Sequence, residues 1–191
     1  MNTSTIRRYD NTTCAGTVQI SSDNFSSCVR AAFTKEWTKQ LGTSSEDIGY
    51  GVTVDSSSNI YVTGYTGGGL DTNSNLGSDD IILVKYNSSG IKQWNQHLGS
   101  FGSSASSVAI GASGNIYVAE QGGSPNYDGR LVKFDSNGDF VWSTNPFSKP
   151  ASGVAVDNSG NIYVSLGRSQ SNEVNELKKF DSNGNLLLTF G

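Results

Sequence analysis

An all-β fold of repeated four-stranded antiparallel sheets is predicted by two recurring segments and by the turns that join them. The tetrapeptide Asn-Ile-Tyr-Val occurs at residues 59–62, 115–118 and 161–164, spaced 56 and 46 residues apart. Each copy follows a related segment: GVTVDSSS from Gly51, SVAIGASG from Ser107 and GVAVDNSG from Gly153. Each also precedes a second shared segment: ILVKYNSSGIKQW from Ile82, RLVKFDSNGDFVW from Arg130 and ELKKFDSNGNLLL from Glu176. The lysines of these segments, Lys85, Lys133 and Lys179, are 48 and 46 residues apart, so two independent markers share one period.

Within a unit the first strand, A, alternates apolar and polar residues through Val52 and Val54, the period of a half-buried strand. A short Ser/Asn/Gly turn leads to strand B, with Ile60 and Val62, and strand C begins near Ile82. Strand D is predicted near 91–98, 140–144 and 185–190. C joins D through Ser88-Ser89-Gly90, Asn137-Gly138 or Asn183-Gly184, where glycine supplies the positive φ of a tight hairpin. Four-stranded meanders repeating at roughly 40 to 50 residues are the pattern of β-propeller blades, and the hairpin turns exclude a leucine-rich or helical solenoid. The units span about 43–99, 100–145 and 146–191. FTKEWTKQLG, residues 33–42, matches GIKQWNQHLG, residues 90–99, and reads as one extra D strand; residues 1–32 form a Ser/Thr/Asn-rich extension.

The first unit, WTKQLG to GYGVTVDSSSNIYVTGYT to LGSDDIILVKYNSSGIKQW, resembles the SBBP repeat, a bacterial β-propeller repeat. The last, ASGVAVDNSGNIYVSLGR to NELKKFDSNGNLLLTFG, is similar to the related NHL repeat. The resemblance covers residues 33–191 and implies a secreted or cell-surface, non-catalytic module that binds a protein or polysaccharide. The alternative it implies is a metal-dependent hydrolase or lyase of the gluconolactonase-like kind. Such enzymes rely on carboxylate and histidine ligands facing the channel, and this chain has one histidine, His97. Propellers usually close with about four to eight blades, so three leave two end faces to cover. A longer propeller would cover them, as would a homodimer completing a six-bladed ring, or an open arc capped by the extension.

Charge and composition narrow the partners. Thirteen Lys and Arg against seventeen Asp and Glu give a net charge of −4, without the basic excess that nucleic acid requires. The longest aliphatic runs, 81–84 and 186–188, fall far short of the roughly 18 residues of a membrane helix, so no membrane insertion is predicted. MNTSTIRRYD has no apolar stretch behind its arginines, so no secretory leader is visible in this numbering.

The A to B and C to D connections are short and uniform, whereas the B to C connections vary, spanning about 65–78, 120–127 and 167–174. Variability concentrated on one rim marks the expected binding face, with Tyr65, Asp71, Gln121, Asn126, Tyr127, Arg168, Gln170 and Asn172 as its polar side chains. No cofactor is predicted, with calcium as the one weak candidate. Asp71, Asn73, Asn75 and Asp79 could converge on a cation, although neither this loop nor Asp135-x-Asn137-x-Asp139 has the glycine and glutamate of an EF-hand; the latter reads as a hairpin turn. Cys14 and Cys28 either form a disulfide in an oxidising compartment or stand as separate thiols. Trp37, Trp94 and Trp142 share one repeat position with Leu188 and read as packing between blades. His97 shares a position with Gln40 and Asn145 and reads as a polar strand end.

Overall fold

The computed structural model describes residues 36–71, 79–99, 103–123, 128–144, 147–167 and 175–191. The chain divides into compact units 1–38 and 39–191, and the second holds all the described strands. These are β1 (Asp47–Val54), β2 (Ile60–Thr66), β3 (Asp80–Tyr86), β4 (Lys92–Gly99), β5 (Ala105–Ile110), β6 (Ile116–Glu120), β7 (Arg130–Phe134), β8 (Phe140–Ser143), β9 (Ala151–Val156), β10 (Ile162–Leu166), β11 (Glu176–Phe180) and β12 (Leu186–Phe190). They form three four-stranded antiparallel sheets, β1–β4, β5–β8 and β9–β12, in which every strand pairs with its neighbour in sequence. These are blades 1, 2 and 3. First strands of successive blades lie side by side, β1 on β5 and β5 on β9, and the blades do not close into a ring.

Alternation along each strand sends one set of side chains to each face, and two cores follow. Tyr61, Ile81 and Leu83 of blade 1 pack against Val108, Ile116, Val118, Val132 and Phe134 of blade 2. Tyr117, Ala119 and Leu131 of blade 2 pack against Ile162, Val164, Leu166 and Phe180 of blade 3. Each large side chain buried this way contributes about 1.5–3 kcal/mol.

The two joints share a socket. Trp94 lies under the C to D turn of blade 2, where a Cβ on Gly138 would sit 3.0 Å from its ring atoms; Trp142 takes the same place beneath Gly184 of blade 3, at 3.2 Å. Both glycines have positive φ, 90° and 85°, so the turn and the ring's approach each require glycine. Lys85 stands 5.2 Å from the Tyr61 ring centroid and 6.0 Å from that of Trp94. Lys133 lies 5.7 Å from both Tyr117 and Trp142, and its Nζ donates to the Ser182 carbonyl of the next blade at 2.9 Å. Trp94 and Trp142 are thus packing residues between blades, as their shared position predicts, whereas Trp37, the third of the set, is 37 % exposed.

Asparagine and aspartate organise the turns. Asp55 Oδ1 accepts from the Ser57 and Asn59 amides, while its Oδ2 accepts from Asn59 Nδ2 and Tyr61 Oη. Asp157 repeats the pattern with Ser159, Asn161 and Tyr163. In blades 1 and 3 the Asn and Tyr of the repeated tetrapeptide are therefore partners of the aspartate that precedes them, whereas in blade 2, with Gly111 at that place, Asn115 donates to Ser113 Oγ. Asp135 accepts from the amides of Asn137 and Asp139, confirming a hairpin turn at that segment.

These bonds set an acid limit. Burial pushes the Asp55 carboxyl up, but its bonds from Asn59, Tyr61 and Ser57 outweigh that and hold it below the usual range. Asn161 chiefly holds Asp157 down, and Asn185 does the same for Asp181. A carboxyl lowered on folding stabilises the fold above its unfolded value, near pH 3.9, and that contribution is lost as the pH falls toward the folded value. Stability should accordingly fall below about pH 4, and acid titration of an Asp55→Asn, Asp157→Asn, Asp181→Asn triple variant should show a shallower fall. An unchanged acid limb would rule these turns out as its source.

Residues 36–42, the described part of the expected extra D strand, carry no strand. Leu41 instead packs on the face of blade 1 turned away from blade 2, with Leu70, Ile82, Val84 and Tyr86.

Candidate functional site

The rim of the B to C connections is built at the ends of β2, β6 and β10. In blade 1 the β1–β2 register shifts between Gly49 and Gly51, a bulge that leaves Tyr50 out of the ladder. Gly64 opposite makes the bulge fit, because a Cβ there would overlap the Ile48 carbonyl oxygen and sit 2.9 Å from Gly49 Cα. Tyr50, 53 % exposed, stands beside Tyr65 with ring centroids 6.1 Å apart and planes at 37°. Tyr65 donates its hydroxyl proton to the Glu46 carboxylate, which pushes its pKa up to about 12 and keeps the phenol neutral. The rim thus offers two adjoining aromatic faces beside a carboxylate, able to stack on a flat apolar surface and accept hydrogen bonds.

Of the other residues predicted for this face, Gln121 is exposed, its amide donating to the Ser104 carbonyl at 2.8 Å and its Oε1 accepting from Ser104 Oγ at 3.4 Å. Asp71 is exposed with φ 57° and forms an ion pair with Lys92, so its carboxylate is already engaged. Asp79 is half-buried, and Asn73 and Asn75 lie outside the described residues, as do Asn126, Tyr127, Arg168, Gln170, Asn172, Cys14 and Cys28. Among the described residues no group of three His, Cys, Asp or Glu is placed to hold a metal ion. No helix among them is long and apolar enough to cross a membrane.

The last position of strand B shows three answers to one burial problem. Thr66 of blade 1 hydrogen-bonds to the Asp47 carboxylate, Leu166 of blade 3 is apolar, and Glu120 of blade 2 is ion-paired. Arg130 grips Glu120 in a fork, Nε to Oε2 at 2.8 Å and Nη2 to Oε1 at 2.7 Å. His97 departs from the polar strand end that its repeat neighbours suggest. Its position opposite Ile82 turns the ring onto the apolar outer face of blade 1, where it is buried. Nδ1 lies 3.8 Å from Asp80 Oδ2, and neither ring nitrogen has a hydrogen-bond partner.

Two features escape the sequence reading. Tyr50 is one, although a tyrosine between two glycines was a usable sign of a bulge. The other is a cleft of about 540 Å³ on the opposite rim, where the three A to B turns meet, lined by Val54, Asp55, Ile110, Ser113, Val156 and Asp157. Uniform turns carry no length signal, so only the blade arrangement shows that they converge.

The family model of the SBBP β-propeller repeat matches residues 36–76. The chain carries an SBBP β-propeller repeat. The SBBP match begins before β1 and ends in the B to C connection, so it takes in β1 and β2 of blade 1 but not β3 or β4. No curated protein matches the chain. Among solved structures it is similar to a protein of unknown function from Bacteroides caccae, with 16 % identity over 81 % of this chain and a TM-score of 0.50. The chain spans about half of that protein, 48 %, and the likeness is one of fold.

Proposed function

We propose that this chain is a non-catalytic SBBP propeller module, displayed outside the cell, that binds a protein or polysaccharide through the rim of its B to C connections. The observation that carries the reading is the Tyr50–Tyr65 pair beside Glu46, held out by a glycine bulge at the rim where loop length varies. Adjacent aromatic faces at a wet rim supply contact area at little entropic cost and suit sugar rings or the apolar parts of a peptide.

Co-sedimentation with cellulose, chitin and peptidoglycan, and titration with soluble xylan and mannan, test the polysaccharide arm. Binding should weaken at least about tenfold in Tyr50→Ala and Tyr65→Ala, with the unfolding midpoint nearly unchanged because both rings lie at the rim. Binding indifferent to both tyrosines would overturn the rim assignment. Stoichiometric uptake of a divalent metal together with lactone hydrolysis would replace the module by an enzyme.

A further inference from the structure

We infer that the outer face of blade 3 is a joint built to receive the outer face of blade 1 from a second copy of this chain. This goes beyond the rim reading and does not depend on what the rim binds.

The inference starts from the two joints inside the chain. The face that blade 1 turns to blade 2 carries Tyr61, Leu83, Lys85 and Trp94; the equivalent face of blade 2 carries Tyr117, Leu131, Lys133 and Trp142. By the same register, the outer face of blade 3 carries Tyr163, Leu177, Lys179 and Leu188, with Phe190 opposite Leu177. Tyr163 and Lys179 already pair at 5.4 Å, as in the other two sets. What differs is cover: Leu83 and Leu131 are fully buried, whereas Leu177 is 39 % exposed, Leu188 47 % and Phe190 48 %. Three of the four positions repeat the two occupied faces, with Leu188 in the place of Trp94 and Trp142, and a matching face calls for a matching occupant, a blade bearing a C to D turn with a glycine at its tip.

Blade 1 has that surface on its other side. Val52 and Val54 take the places of Val108 and Ile110 in blade 2, which line the first joint, yet are 68 % and 56 % exposed. Its C to D turn has the same frame, with Asn87 Oδ1 accepting from Ser89 and Ile91 and Gly90 at φ 71°. The outer half of this face is covered by Leu41, but poorly in polar terms, since both ring nitrogens of His97 and Nδ2 of Asn95 are buried there without hydrogen bonds. Buried polar atoms left without hydrogen bonds oppose that packing, so the Leu41 segment is a cover that a second copy can displace. Joining tail to head twice places six blades around one axis.

Light scattering on the full chain and its variants tests this. The wild type should have a mass near twice 20.2 kDa. Leu188→Asp spoils only the tail and Val52→Lys only the head, and since both positions are exposed each variant should keep its circular dichroism. Each alone should dissociate at least about tenfold more readily. Mixed, they should recover dimer, because the intact tail of one meets the intact head of the other. Leu41→Ser should tighten association. A wild-type monomer at every concentration would overturn the inference and leave the rim reading untouched. Val52→Lys dimerising like wild type while Leu188→Asp does not would mean tail-to-tail pairing, and would overturn it too.

Discussion

Replacing Arg130 by methionine is expected to lower the unfolding free energy by about 2 kcal/mol, measured by urea denaturation at neutral pH. The arginine's partner, Glu120, is 1 % exposed, and without the guanidinium its buried carboxylate loses both hydrogen bonds of the fork. The value sits below the range for fully buried pairs because a third of the Arg130 side chain is in contact with water. Adding Glu120→Leu should return most of the loss, since blade 3 fills the same position with Leu166 and buries it. An Arg130→Met protein as stable as wild type would show that the fork contributes nothing net. A double variant no better than the single one would show that blade 2 cannot adopt the solution of blade 3.

The second large effect is expected at Gly64. An alanine there puts its Cβ into the Ile48 carbonyl oxygen and against Gly49 Cα, and backbone cannot step aside as a side chain can. Gly64→Ala should destabilise by about 3 kcal/mol and, by straightening the bulge, should weaken rim binding even where the protein stays folded. Gly160→Ala is the control, because nothing lies within 4 Å of its Cβ and only the positive φ of 81° opposes it, at about 1 kcal/mol. Equal losses at the two glycines would mean that φ alone, and not the collision at the bulge, governs Gly64.

The blades were legible because their signals are local. The Asn-Ile-Tyr-Val tetrapeptide marks strand B through bonds within six residues of chain, Asp55 to Tyr61 and Asp157 to Tyr163. Glycine at the C to D turns marks the hairpins by its φ. What was not legible depends on which surface meets which. His97 gave a polar signal, yet strand parity turned it onto an apolar face. Leu41 sits in a segment patterned as a strand, yet it packs on blade 1 without pairing. Tyr65 was visible as a candidate, but its neighbour Tyr50 depended on a bulge that alternation alone would have hidden by assigning it a face of the ladder.

The socket between blades has a consequence for how such chains lengthen. Every described strand pairs with its sequence neighbour, and each joint sets a D-strand tryptophan on one side under a turn glycine on the other. A duplicated stretch of one repeat would therefore arrive with both halves of a joint, matching the blade before it and the blade after it without a compensating change elsewhere. Blade number in such a lineage is free to drift by whole units, while a partial unit would leave a socket without its plug. Divergence is then confined to the connections that touch neither half of the joint, and these are the B to C segments.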